Sequence, residues 1–504
     1  MALTLAAVLA VSGADTGTVS ATTDNLESAF GVGNTQIGLL LTVVALTGAV
    51  FTIPAGVLTD RTRRTRLLTG SIGTWAVATV VSGAATSYWW MLFARVALGV
   101  VTAVTGPAVA SLTGDYFPSG DRARMYGLIL GGELVGSGIG YTISGDLSSL
   151  TTWRAAFWWL AVPSLVLAWV VWRLPEPARG GFSSIAPGEE EILDERDVPP
   201  PAERDGLARG DCNSGDGVGG EVGGEAAALA ERAVRRSAVE PEEKLVLRED
   251  PADRSVWWAV RYVLRVRTNV VIIIASALGY FFFAGLRSFA VIFATGHYGI
   301  SKPTATALIL VIGVGALVGV FAGGRFADRL LRHGHIRARV MVPAVCLLAL
   351  PLVMAPAIAT RTVVIALPLL IFGAFLLGAP NPPMDAARLD IMHSRLWGRA
   401  EGVRTALRAG GEAVAPLLFG YVSQYVFGGP GSSSGGSGSG GASAGNSAGL
   451  EYTFLLFLGT LLVAGLLALA GLRTYPRDVA TAAASAEAIS QAAVKGGKEA
   501  RPAT

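Results

Sequence analysis

One short motif stands at the same place in each half of this chain. Gly56-Val57-Leu58-Thr59-Asp60-Arg61 recurs as Gly324-Arg325-Phe326-Ala327-Asp328-Arg329. Each copy closes a long apolar segment and opens a basic loop. A second pair supports the first. Gly131-Gly132-Glu133-Leu134-Val135 returns as Gly410-Gly411-Glu412-Ala413-Val414, each inside an apolar run. Repeats at similar offsets mean one structural unit used twice, so the fold must be built of two similar halves.

Composition identifies the solvent. Of 504 residues, 52% are hydrophobic and 15% charged, against about 25% charged in soluble domains. A single soluble core of this size is excluded, because such cores stop growing near about 250–300 residues. The bilayer is the natural medium. A net charge of +3 gives no reason to expect a nucleic-acid partner. Cys212 lies in a polar stretch and Cys346 in an apolar one, and His297, His333, His335 and His393 lie near loops. Neither set has metal-ligand or disulfide spacing. No Gly-Lys-Ser or Gly-Lys-Thr phosphate loop argues for ATP drive, and no serine–histidine–acid set is readable at this level. The expectation is a non-enzyme without metal or cofactor.

A spanning helix needs about 20 mostly apolar residues. Twelve such runs are readable, six in residues 1–174 and six in 256–472, predicting an all-α membrane protein of two pseudo-symmetric six-helix bundles. A cleaved signal peptide at the start is disfavoured, because no basic stretch precedes the first apolar run. Arg61, Arg63, Arg64, Arg66, Arg122, Arg124, Arg325, Arg329, Arg332, Arg337, Arg339, Arg395 and Arg399 crowd one set of loops. The opposite loops hold Arg154, Lys302 and Arg361. The basic loops, and with them both termini, are therefore expected in the cytoplasm, with the plasma membrane as the site. Residues 175–255, rich in Pro, Gly and charge, read as a disordered linker with a possible short helix over Glu225–Glu240. Val256–Arg267 reads as an interfacial helix with Trp257 and Trp258 at the headgroups. Residues 428–450 read as a Gly/Ser-rich outer loop, and 473–504 as a cytoplasmic tail.

Duplicated membrane halves point to a transporter that alternates access around a central site, functional as a monomer because one chain holds both halves. Charges inside a membrane are costly unless paired or hydrated, so each is a functional candidate. Asp15, Arg95, Glu133, Arg287 and Glu412 qualify. Asp15, in Gly13-Ala14-Asp15-Thr16-Gly17, is the first candidate proton carrier. Its alternative is a structural hydrogen bond. Arg95 pairs with Asp15 or Glu133, or holds an anionic group. Glu133 and Glu412, at equivalent repeat positions, are a proton or gate pair or an inherited packing element. Arg287 contacts substrate or snorkels outward. Asp385, Arg388, Asp390, Arg395 and Arg399 read as an inner latch or, slightly preferred, as a solvated charged loop. A rival reading, a membrane sensor that has lost transport, leaves the buried charges without a use.

The paired Gly-x-x-x-Asp-Arg loops resemble the major facilitator superfamily over about 1–175 and 256–472, with Arg63 where that family prefers glycine. The first half is similar to spinster-type transporters. Ala94-Arg95 through Gly99 to Pro107, Gly114-Asp115-Tyr116-Phe117-Pro118, Val135-Gly136-Ser137-Gly138-Ile139-Gly140-Tyr141 and Trp153-Arg154 carry that likeness. Gly411-Glu412 with Pro416 and Gly420 adds to it. Thr102 stands where those relatives usually have glutamate. Gly127, Gly136 and Gly140 resemble an antiporter motif, with Tyr141 in place of its proline. The resemblance implies a proton-coupled carrier of a small organic or lipid-like solute, with drug or metabolite efflux and metabolite symport as alternatives. It also implies that Gly56, Asp60, Arg61, Gly324, Asp328 and Arg329 form a gate, closed when the protein faces outward. A simple topology signal is the plainer reading of those basic residues.

Overall fold

The computed structural model describes residues 1–32, 34–179, 239–251, 254–427 and 441–499. Among the described residues the regular structure is helical, with no strand. The first half holds α1 (Ala2–Ala21), α2 (Thr23–Phe30), α3 (Asn34–Arg61), α4 (Arg64–Gly83), α5 (Tyr88–Thr102), α6 (Thr105–Tyr116), α7 (Arg122–Leu150) and α8 (Trp153–Trp172). The second holds α9 (Val256–Val263), α10 (Arg267–Tyr298), α11 (Lys302–Arg332), α12 (Ala338–Ala359), α13 (Val363–Gly378), α14 (Asn381–Asp390), α15 (Trp397–Tyr421) and α16 (Gly441–Glu499).

Among the described residues nine spans are long and apolar enough to cross a membrane, with α5–α6 and α13–α14 each counted as one. Three more helices, α4, α7 and α15, have the length, at 20, 29 and 25 residues, but are more polar. The twelve expected spans thus include three that hydropathy does not single out. Two of these, α7 and α15, carry the charged residues of the cleft described below.

Close backbone approach holds the bundles together. In a bilayer, lipid tails are as apolar as leucine, so helices gain by packing tightly rather than by hiding apolar surface. Along α7 a Cβ at Gly132, Gly136 or Gly140 would strike the α1 backbone at Ala6, Ala10 and Ala14. The second half repeats the device. Gly315, Gly319 and Gly323 of α11 lie against the carbonyls of Ile371, Phe375 and Ala379. Val162, Leu165, Val166, Trp169 and Trp172 of α8 are exposed, as expected of a lipid-facing side.

Two helices are interrupted at equivalent places. One break lies between α5 and α6, the other between α13 and α14. At the first, Thr102 Oγ1 donates to the Gly99 carbonyl at 3.1 Å, satisfying a group that the break leaves loose.

The last helix is longer than expected. It runs without interruption past residue 473, and the tail segment is packed rather than loose. Tyr475 donates from its hydroxyl to Asp390 at 2.8 Å, and Asp478 accepts from the Thr268 amide at the start of α10 at 2.8 Å. The linker expectation also needs correcting at its ends. Residues 175–179 and 239–251 are ordered against the helices, because Glu176, Arg179, Asp250 and the backbone there find specific partners. Residues 180–238, including most of the expected helix over Glu225–Glu240, lie outside the described residues, as do 428–440 of the outer loop. In α9, Trp257 is 82% exposed, but Trp258 turns inward and stacks on Tyr262 with centroids 5.4 Å apart.

Candidate functional site

The two halves meet mainly through α3 against α15, α7 against α11, and the α6–α15 and α7–α14 pairs. The residues in contact lie toward the ends that carry the repeated motif. The first four amides of a helix lack intrahelical partners and attract negative charge, and each motif aspartate uses that fact across the interface. Asp60, at the end of α3, accepts from the Gly398 and Arg399 amides of α15 at 2.9 and 3.0 Å. Arg399 Nε adds an ion pair at 3.3 Å. Asp328, at the end of α11, accepts from the Arg124 amide of α7 at 2.7 Å and from Arg339 Nη2 at 3.0 Å. The motif glycines permit the approach. A Cβ at Gly56 would strike the Gly398 carbonyl, and one at Gly324 the Ala123 carbonyl. Asp60 and Asp328 are buried, whereas Arg61 and Arg329 are exposed.

A buried charge network backs the joint. Arg339 binds Asp390 and the Ser119 carbonyl, and Asp390 also accepts from Arg122 at 3.3 Å. Asp385, Arg388, Asp390 and Arg399 were expected to be solvated. They are instead inside the protein or nearly so, because the closed ends of both halves cover them. Deeper in the second half, Arg404 pairs with Asp385 at 2.9 Å and with Glu401 at 2.9 Å, and Arg388 also pairs with Glu401. All four side chains are buried.

Beyond this floor lies a cleft between the halves. Glu133 of α7 is exposed to it, and Arg408, Glu412 and Arg287 of the second half lie within electrostatic reach of Glu133. Arg408 pairs with Glu412 at 3.2 Å, their side chains 26% and 33% exposed, and its guanidinium lies 4.2 Å from the Tyr280 ring centroid. Three of the sequence candidates, Glu133, Glu412 and Arg287, thus share one region. Asp15 and Arg95 do not join them. They pair at 2.8 Å inside the first half, both buried, with the guanidinium 5.0 Å from the Phe157 ring centroid of α8. One carboxylate oxygen and two guanidinium nitrogens of this pair lack hydrogen-bond partners.

Sequence reasoning missed Glu401, Arg404, Arg408 and Tyr280. A signal was present, since 401, 404, 408 and 412 recur at helical spacing and share one face of α15. Starting the apolar run at 403 hid the first of them.

The Gly127, Gly136 and Gly140 series has a packing role in this structure. Gly136 and Gly140 seat α1, and a Cβ at Gly127 would come to 2.9 Å from the Val320 carbonyl of α11.

Comparison with known proteins agrees with this architecture. The chain is 25% identical over 167 residues to the protein spinster of Drosophila melanogaster, a match covering 33% of this chain and 28% of that protein. The chain therefore matches little more than a quarter of that relative's length. Among solved structures, a bacterial homologue of the human lysosomal transporter spinster, in an inward-facing unoccupied conformation, superposes with a TM-score of 0.53 at 19% identity, covering 95% of this chain and 97% of that one. The proton:xylose symporter XylE superposes with a TM-score of 0.59 at 15% identity, covering 92% and 94%. At these identities the likeness establishes the fold alone. The family model of the Major Facilitator Superfamily matches residues 5–416, and with that the chain belongs to the Major Facilitator Superfamily, a family of membrane transporters.

Proposed function

We propose that this transporter moves a small organic or amphiphilic solute by alternating access, coupled to protons, with Glu133 and the Arg408–Glu412 pair as the coupling and binding groups. The observation that carries the reading is the cleft itself. Charges of opposite sign from the two halves face each other there, while the motif-bearing ends are locked. Protonating Glu133 or Glu412 changes which carboxylate Arg408 serves, so proton and solute occupancy are linked through one guanidinium. The name of the spinster relative supports an amphiphilic solute, and the XylE title supports proton coupling. With the basic loops in the cytoplasm of a cell's plasma membrane, the locked ends face inward and the cleft faces outward.

Proteoliposomes with an internal pH dye, tested over lysolipids, organic cations and sugars, check this. Solute-dependent proton movement in the parent, lost in Glu133→Gln or Glu412→Gln, is the expected result. Movement that survives both changes but is lost in Asp15→Asn returns the carrier role to the Asp15–Arg95 pair. Solute flux without any proton movement leaves a facilitator or a sodium-coupled carrier. Drug or metabolite efflux is distinguished by which solutes drive the signal.

A further inference from the structure

We propose that the two ends of the central segment, residues 175–179 and 239–251, form a strap that holds the motif-bearing side of the transporter shut. The proposal rests on the alternating-access reading and adds a regulatory element to it.

The first end grips the first half. Glu176 accepts from the Arg64 and Thr65 amides at 3.0 and 2.8 Å, and so caps the start of α4. It also accepts from Arg64 Nε at 2.8 Å and Thr65 Oγ1 at 2.7 Å. Arg179 donates to the Thr59 and Thr62 carbonyls at 2.8 and 2.9 Å. Those carbonyls flank Asp60 at the end of α3, where a cation complements the helix dipole.

The second end grips the other half. The Glu242 and Leu247 amides donate to Thr481 and Ser485 of α16 at 2.9 and 3.0 Å. Tyr262 of α9 donates to the Leu245 carbonyl at 2.9 Å. Asp250 pairs with Arg395, and the Pro251 carbonyl accepts from Arg399 Nη1 at 2.9 Å. Arg399 is the same residue whose amide and Nε meet Asp60.

The ends converge at that joint. Arg179 lies within electrostatic reach of Asp60, Asp250 and Arg395. One end thus places a positive charge beside Asp60. The other end places a negative charge opposite it and orients Arg399 toward Asp60. Opening this side separates α3 from α15, and with them Arg179 from Asp250. The strap is therefore strongest in the closed state and biases the equilibrium toward it.

Spin-label distances across this side, in the full chain in lipid nanodiscs, test the strap. The labels go on Arg66→Cys and His335→Cys, both exposed positions, in a Cys212→Ser, Cys346→Ser background. Arg179→Gln and Asp250→Asn are each expected to raise the open-to-closed ratio about threefold, the size of a partly exposed ion pair. The double variant should shift it by less than the sum of the singles. Arg179→Lys, which keeps the charge, should stay near the parent. Glu249→Gln, paired with Arg254 at the surface, should not move it. Asp250→Asn reads the proposal alone if Arg179→Gln fails to fold, since Asp250 is 34% exposed. Unchanged distances in the strap variants, with a clear shift in Asp60→Asn, overturn the strap. No shift in Asp60→Asn either means that the gate reading has failed instead.

Discussion

Asp60 and Asp15 are both buried aspartates facing arginines, yet they do different work. Asp60 satisfies two amides of a helix belonging to the other half, so its bonds exist only while the halves are together. Charged hydrogen bonds of this kind contribute about 1.5–3 kcal/mol each. Asp60→Asn keeps the shape and loses the charge, and should weaken the closed state by about 1–2 kcal/mol. Faster labelling of cleft residues from the motif-bearing side would register it. Asp15 and Arg95 lie within a single half, so their pair has no part in closure. Asp15→Asn leaves a buried guanidinium uncompensated, which costs about 3–5 kcal/mol, and should lower the thermal midpoint of the detergent-solubilised protein. Asp15→Leu with Arg95→Met removes both charges and should recover most of that loss. A double variant as unstable as Asp15→Asn would show that the pair has a role beyond neutralisation. The sequence marked Asp15, Glu133 and Glu412 equally, as charges in apolar runs. Which of them face each other depends on helix rotation and on neighbours remote in the chain, and no spacing rule reports that.

At the scale of elements, glycine positions separate packing from spare room. Gly136 and Gly138 are two residues apart on α7, but a Cβ at Gly136 would overlap Ala10, whereas nothing lies within 4 Å of one at Gly138. Gly136→Ala should destabilise by about 1–3 kcal/mol through forced backbone movement. Gly138→Ala should be neutral or slightly stabilising, because alanine favours a helix. Thermal melts of the two variants side by side decide it. The last helix offers a second test. Truncation after Leu472 removes Tyr475 from Asp390 and Asp478 from the Thr268 amide. It should lower stability and increase hydrogen exchange at the start of α10. Apolar run lengths located most of these helices well. They could not locate the true end of α16, because a polar helix packed on other polar segments has no hydropathy signal.

For the whole molecule, the two motif copies act as crossed fasteners. An aspartate of the first half caps a helix of the second, and an aspartate of the second caps a helix of the first. Gly56→Leu together with Gly324→Leu would put side chains where backbone carbonyls now sit, so the motif-bearing side should not close. Faster exchange of the 398–403 amides, with retained helicity by circular dichroism, is the expected outcome. Protected amides in that variant would mean that the halves meet elsewhere. By itself the sequence determined the medium, the two-fold repeat, the near-count of spans and the identity of the charged candidates. Hydrophobicity and repetition are local, additive properties that a linear string records. Only the tertiary structure decided that Arg408 joins Glu133 and Glu412, that Asp15 is confined within one half, and that the central segment's ends lie on the gate. Those outcomes turn on which faces of which helices meet, and that is fixed by backbone contacts and buried charge pairs between residues hundreds of positions apart.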